Sequence, residues 1–197
     1  MDSRTEPSRV RLVRALALST LLFFGGGGMA LLILVQGRDP LHALFGDGDI
    51  LLDIVLGLAS GLLIAVVAWG IISTRMMQGV REHYCRMIGP LIGSRWQRIW
   101  ISICAGVGEE IFFRGALQHW LGIPITAILF VAIHGYLDPR DLRISTYGIF
   151  MTLGMLLLGV MAERYGLLGP MIAHTIIDIV LLERLHAAWR SLPRDQS

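Results

Sequence analysis

Long apolar runs alternate with short polar segments along the chain, and the longest runs are sufficient to cross a lipid bilayer. The first run, residues 15–35, carries no charge, and about 20 apolar residues span the hydrocarbon core. The second run covers residues 50–73. Further runs follow at residues 99–120, 125–136, 144–162 and 171–182. This pattern predicts an all-α fold, a polytopic membrane helix bundle of about six transmembrane helices.

Small residues mark the positions where these helices should bend or meet. The glycines Gly25–Gly28 are expected to weaken or bend the first helix and to allow close contact with a neighbour. Gly57 and Gly61 have the spacing of a packing face in the second helix. Gly122 and Pro124 should separate the third helix from the fourth. Asp53, near the start of the second run, is expected at the membrane interface.

Composition agrees with a membrane protein and limits its domain organisation. The chain is 54% hydrophobic and 16% charged, against about 25% charged in soluble domains. Two cysteines provide no disulfide framework. We expect an N-terminal region with two transmembrane helices and a basic cytoplasmic connection, a catalytic helix core, and a cytoplasmic tail, at residues 1–98, 99–185 and 186–197.

The basic residues predict the orientation of the chain. All 17 are arginine, and they concentrate in residues 1–14, 74–98 and 137–143 and in the tail, while residues 36–49 hold one. The positive-inside rule therefore predicts cytoplasmic N- and C-termini. Part of residues 74–98 should form an amphipathic interfacial helix. A net charge of +2, with arginines at helix ends, indicates no nucleic-acid partner.

Three ionisable residues lie in the middle of the third run. Burying Glu109, Glu110 and Arg114 in a membrane is costly unless they pair, face water or act in chemistry. Glu110 and Arg114 are four residues apart and share a helix face, whereas Glu109 points roughly 100° away. One carboxylate should therefore be neutralised by the arginine, which leaves the other free. The alternative, a solvated helix face, is disfavoured by the apolar flanks.

Two later runs contribute further ionisable groups. His134 ends the fourth run, and His174 and Asp178 share one face of the sixth. With a glutamate they could activate a water and stabilise an oxyanion, or form a site of two histidines and a carboxylate for a metal. A single membrane histidine can equally make an interhelical hydrogen bond. Counting residues from the turns places His134 about 10 Å closer to the cytoplasm than His174. Tilted or broken helices would be needed to bring the two histidines to the same depth.

Together these residues form three motifs that occur in order on separate spans. They resemble the motifs of the CPBP family, which comprises CAAX-processing membrane endopeptidases of the Rce1 type and bacterial Abi and bacteriocin-immunity relatives. The resemblance covers residues 99–182. The motif residues are Glu109, Glu110 and Arg114, then Phe130 and His134, then His174 and Asp178.

The resemblance implies an intramembrane peptidase that uses no metal. Glu109 would deprotonate a water that His134 positions or polarises. His174 and residue 178 would form the oxyanion hole. Glu110, Arg114 and Phe130 would support these groups.

Position 178 departs from the commonest family pattern, which has Asn there. An ionised Asp178 would repel an oxyanion, so it must be protonated, pair with His174 or bind a metal. Burial favours the protonated form. Zinc stays the alternative cofactor, with Glu109, His134, His174 and Asp178 as its ligands.

These observations predict an endopeptidase of the bacterial inner membrane. Its partners would be the lipid bilayer and a protein or peptide substrate, cleaved in a C-terminal membrane-associated segment, as in CAAX processing or removal of a sorting signal. A first alternative is a non-catalytic immunity or scaffold protein. A second is a small proton-coupled transporter, against which the short chain and the absence of a visible inverted repeat argue.

Overall fold

The computed structural model describes residues 6–193, and that part of the chain is helical without strands. The arginines at positions 4 and 194, which contribute to the predicted orientation, lie outside it. Helix α1 runs without interruption through the segments Glu6–Thr20, Leu21–Gly26, Gly27–Ala30 and Leu31–Val35, the second and fourth of which are π-helical. The other helices are α2 (Pro40–Phe45), α3 (Ile50–Ile72), α4 (Gln78–Ile88), α5 (Arg95–Glu110), α6 (Gln118–Ile133), α7 (Leu142–Tyr165) and α8 (Leu168–Ser191).

Within the described residues, four helical stretches are long and apolar enough to span a membrane. They are Arg11–Val35, Ile50–Ile72, Arg95–Ile133 and Leu142–Tyr165. The predicted membrane helix bundle is confirmed. By length and composition, however, the described residues contain four candidate spans where about six were predicted. The predicted third and fourth spans lie in one 39-residue stretch, because the helix resumes directly after the break. The predicted sixth span lies in α8, whose charged residues lower its hydropathy.

The break lies inside α6 and is a single residue with a positive φ. Gly122 has φ 70° and ψ 170°, a conformation that glycine adopts without steric cost. Pro124 follows in the first turn of the resumed helix, where its missing N–H costs little. The predicted break is therefore present, although it changes the direction of the chain without introducing a loop.

Helix α3 packs closely on the first turns of α8 through two glycines. A Cβ at Gly57 would lie 2.6 Å from the carbonyl oxygen of Gly169, and one at Gly61 would lie 2.6 Å from that of Ala173. The predicted packing face is confirmed. Asp53, one turn earlier, was expected at the interface but is only 3% exposed. Its Oδ2 accepts a hydrogen bond from the backbone N–H of Gly169 at 2.9 Å, because the first turn of a helix has N–H groups without intrahelical partners.

The glycine run of α1 approaches the segment that carries the motif glutamates. A Cβ at Gly28 would lie 2.7 Å from Cα of Phe112, and one at Gly25 would lie 3.4 Å from Cα of Gly108. The expected close contact is confirmed, and the π-helical segments on either side of Gly27–Ala30 are the predicted irregularity. The first helix thus lies directly against the backbone that follows Glu109.

Helix α4 is the predicted amphipathic helix of the basic connection. Its one buried residue is Cys85, which lies beside α8, where Sγ approaches the carbonyl of Leu185. Burial raises the pKa of the Cys85 thiol. Cys85 and Cys104 are both buried and neither forms a disulfide.

Candidate active site

Glu110 is the centre of a buried ionic network. Its side chain is fully buried, and Oε1 lies 3.2 Å from Nη1 of Arg114 and 2.8 Å from Nδ1 of His174. The pairing of Glu110 with Arg114 follows the predicted spacing. The contact with His174 was not predicted, because helical spacing gives no information about contacts between helices.

A π-helical turn, Ile111–Leu117, directly follows the two glutamates and carries Arg114. Two side chains from the α1–α2 connection hold this turn from outside. Nε2 of Gln36 donates to the carbonyl of Ala116 at 2.9 Å, and Nη1 of Arg38 donates to that of Gly115 at 2.7 Å. These bonds supply partners for carbonyls of an irregular turn within the bundle.

Glu109 faces His134 on the other side of the helix. Oε2 of Glu109 lies 3.5 Å from Nε2 of His134, and the two side chains are 13% and 33% exposed. Nδ1 of His134 donates to the carbonyl of Phe130 at 2.7 Å, which fixes the tautomer of a neutral ring and leaves the Nε2 lone pair directed at Glu109. Oε2 is buried without a hydrogen-bond partner.

Phe130 connects the two carboxylate–imidazole pairs. Its ring centroid lies 4.4 Å from the His134 ring and 5.5 Å from the His174 ring, and the guanidinium carbon of Arg114 lies 4.4 Å from it. The depth difference expected between the two histidines therefore does not separate them, since one phenylalanine ring contacts both imidazoles.

Asp178 lines a cavity of about 120 Å³ at one end of the network. Its Oδ2 lies 3.8 Å from Nε2 of His174. Three tyrosines also line this cavity: Tyr84, Tyr136 and Tyr147. The Tyr136 ring stacks on His134 with centroids 6.1 Å apart. Sequence analysis missed these tyrosines, and proximity to His134 was the only signal for Tyr136. We call this space the tyrosine cavity.

The four candidate zinc ligands lie in two pairs, Glu109 beside His134 and Asp178 beside His174. In residues 6–193, no group of three His, Cys, Asp or Glu side chains is arranged to hold a metal ion. Nδ1 of His174 bonds to Glu110 and Nδ1 of His134 donates to a backbone carbonyl, while each Nε2 faces a carboxylate, at 3.8 and 3.5 Å. The arrangement instead gives two separate acid–base pairs, Glu109 with His134 and Glu110 with His174.

A membrane helix bundle with paired carboxylates and imidazoles in its interior defines a membrane-embedded acid–base site. Residues 91–180 match the family described as type II CAAX prenyl endopeptidase Rce1-like. The resemblance seen in the three motifs is confirmed: over these residues the chain is similar to that CAAX protease family. It is an integral membrane protein, and at family level the match supports a peptidase.

One curated relative is similar over part of its length. The uncharacterized protein YpbD of Bacillus subtilis (strain 168) is 38% identical over 84 residues, which cover 42% of this chain and 42% of that protein. The chain therefore matches less than half of this relative. No solved structure matches the chain.

Proposed function

We propose that the protein is an intramembrane endopeptidase that cleaves a C-terminal membrane-associated segment of protein substrates with a glutamate-activated water. The observation that carries the proposal is the pair formed by Glu109 and His134, within a segment whose family is peptidase-like. No metal takes part in the proposed reaction. The location is the bacterial inner membrane, with both termini in the cytoplasm.

The Glu109–His134 pair suits a bound water. The 3.5 Å gap joins a carboxylate oxygen and, in a neutral ring, a lone pair, so the two atoms have no proton to share. A water that donates one hydrogen to each would satisfy both acceptors and keep an oxygen lone pair free to attack. In the reaction Glu109 takes the proton as the water oxygen bonds to the carbonyl carbon, and later returns it to the leaving amine.

The Glu110–His174 pair suits stabilisation of the oxyanion. In its doubly protonated form, His174 donates Nδ1–H to Glu110 and keeps Nε2–H for the developing negative charge. Asp178 lies 3.8 Å from the same Nε2, too far for a hydrogen bond, so this N–H stays available to the oxyanion. Arg114 also pairs with Glu110 within the same buried network.

The tyrosine cavity is the proposed approach for the substrate. It lies at the end of the bundle that carries α4 and the α6–α7 loop, the end predicted to be cytoplasmic. Its aromatic and aliphatic lining suits apolar side chains next to the scissile bond. Arg81 also lines it and could meet a C-terminal carboxylate.

The test compares membrane proteomes of cells that contain the wild-type protein, Glu109→Gln, or the control Glu82→Gln. Glu82 is half-buried on α4, and within the described chain its side chain bonds only to Gln78. We expect a small set of proteins to retain an uncut C-terminal segment with Glu109→Gln and to be processed normally in the control. Because Gln is nearly isosteric with Glu, we expect Glu109→Gln to be expressed at the normal level. The comparison requires that level to be verified.

An unchanged proteome, with all three proteins folded and abundant, would contradict the peptidase and favour the immunity or scaffold alternative. Proton flux into proteoliposomes that depends on Glu109, without any cleavage, would favour the transporter. Either result would leave the similarity to the family intact and would overturn the proposed activity.

A further inference from the structure

A groove of about 470 Å³ lies between the first part of α1 and the start of α5. The two helices meet further along, where a Cβ at Gly25 would lie 3.4 Å from Cα of Gly108. The groove occupies the space between them nearer to their starts. Its volume lies in the range of about 300–1,000 Å³ that is typical of ligand sites. We call it the α1–α5 groove.

The groove lies where both helices pass from polar to apolar sequence. Arg14 is the last residue before the uncharged run 15–35, and Trp96 and Trp100 flank the start of the run that begins at residue 99. All three side chains line the groove, and the two indoles are 80% and 42% exposed. Tryptophan at the ends of spanning segments is typical of the headgroup level of a bilayer. The α1–α5 groove is therefore placed to meet lipid headgroups.

The polar side chains of the groove offer donors that lack acceptors. Arg14 is exposed and forms no ion pair or hydrogen bond with the residues that the structure describes. Gln97 is only 7% exposed, and its Oε1 accepts from the backbone N–H of Ser94 at 2.9 Å. Its Nε2 donates to no acceptor in residues 6–193, and neither does the hydroxyl of Ser94, whose Oγ accepts from the backbone N–H of Gln97. An acceptor from outside the chain would complete these hydrogen bonds.

The charge of the groove indicates which acceptor fits. Among the described residues that line it, Arg14 is charged and none is a carboxylate. A guanidinium together with neutral N–H and O–H donors suits a phosphate oxygen. A zwitterionic headgroup would bring a cation for which the lining has no carboxylate, whereas a headgroup with net negative charge adds no cation beside Arg14.

The apolar part of the groove continues toward the middle of the membrane. Leu18 follows Arg14 by four residues, and Trp100 follows Trp96 by four, so each lies about 6 Å further along its helix. Leu18 is 44% exposed and lines the groove together with Trp100. A molecule with its phosphate at Arg14 can therefore place an acyl chain along these two side chains.

We propose that the α1–α5 groove binds the phosphate of an anionic phospholipid, with Arg14 as the charged contact and Nε2 of Gln97 as the buried donor. One acyl chain runs past Leu18 and Trp100. The groove is separate from the Glu109–His134 pair. The proposal does not depend on peptidase activity, because binding is measured directly.

The test measures lipid binding to the purified full chain in detergent by native mass spectrometry. Dioleoyl phosphatidylglycerol and dioleoyl phosphatidylcholine are titrated separately, with wild-type protein, Arg14→Gln and the control Arg140→Gln. Arg140 is also exposed, and its side chain lines neither the α1–α5 groove nor the tyrosine cavity. Both substitutions remove one positive charge, so a general effect of net charge would be the same in the two variants.

We expect the wild-type protein to bind the first phosphatidylglycerol at least about fivefold more tightly than phosphatidylcholine, and Arg14→Gln to lose about fivefold in affinity for it. Arg140→Gln should bind like the wild type. Equal affinity of the wild type for the two lipids, or an equal loss in both variants, would overturn the proposal. Tighter binding of phosphatidylcholine would indicate that the indoles recognise a choline cation and would overturn it as well. Inorganic phosphate that binds as tightly as the lipid would assign the groove to a free anion and overturn the lipid assignment.

Discussion

Glu110→Gln should destabilise the protein far more than Glu109→Gln, although the two residues are adjacent. Glu110 is fully buried between Arg114 and His174, at 3.2 and 2.8 Å. Glutamine preserves the volume but removes the charge that balances Arg114, and breaking a buried ion pair costs about 3–5 kcal/mol. Glu109 has one contact, at 3.5 Å and without a shared proton, so its replacement by glutamine should cost at most about 1 kcal/mol.

For a domain of this size, about 1 kcal/mol corresponds to a shift in Tm of about 2–4 °C. Glu110→Gln should therefore lower Tm by roughly 6–20 °C, measured by tryptophan fluorescence in detergent. A double-mutant cycle with Arg114→Gln should reveal a coupling energy of about 0.5–3 kcal/mol. Equal Tm values for Glu110→Gln and Glu109→Gln would contradict the buried ion pair. So would additive effects of Glu110→Gln and Arg114→Gln in the cycle.

Three further predictions concern the hydrogen bond between Asp53 and α8, the proposed chemistry and the interfacial helix α4. Asp53→Ala removes the acceptor for the Gly169 N–H and should lower the free energy of unfolding by about 0.5–2 kcal/mol, while Asp53→Asn, which keeps an acceptor oxygen, should lose less; equal losses would contradict a capping role. Once a substrate is identified, phenanthroline should leave its cleavage unchanged, and inhibition reversed by zinc would contradict the metal-free reaction. Because burial raises the pKa of Cys85, maleimide should label it slowly until denaturant is added, and fast labelling of the native protein would place α4 away from α8.

Features of the fold that depend on local spacing were predictable from the sequence. The i,i+4 spacing of Glu110 and Arg114 led to their ion pair, and the spacing of Gly57 and Gly61 led to a close helix contact. The break at Gly122 followed from its neighbour Pro124. The described residues contain four candidate spans where about six were predicted, in part because apolar runs do not distinguish a bent helix from two separate ones.

Features that depend on contacts between distant helices were not predictable. Asp53 was expected at the interface because it is charged and near a helix start, but the N–H of Gly169, 116 residues later, provides a partner inside the bundle. The contact of Glu110 with His174 likewise joins residues 64 apart. The π turn that carries Arg114 has no distinctive sequence, since it depends on partners such as Gln36 and Arg38.

The close fit of α3 against α8 has a consequence for recombination between relatives. The family match covers residues 91–180, yet the position of His174 along the bundle axis is set by Asp53, Gly57 and Gly61, which lie before that segment. A chimaera that exchanges the matched segment alone would pack the first part of a foreign α8 against an α3 surface that is complementary to a different helix. Grafts between homologues should therefore transfer the motif-bearing helices together with α3.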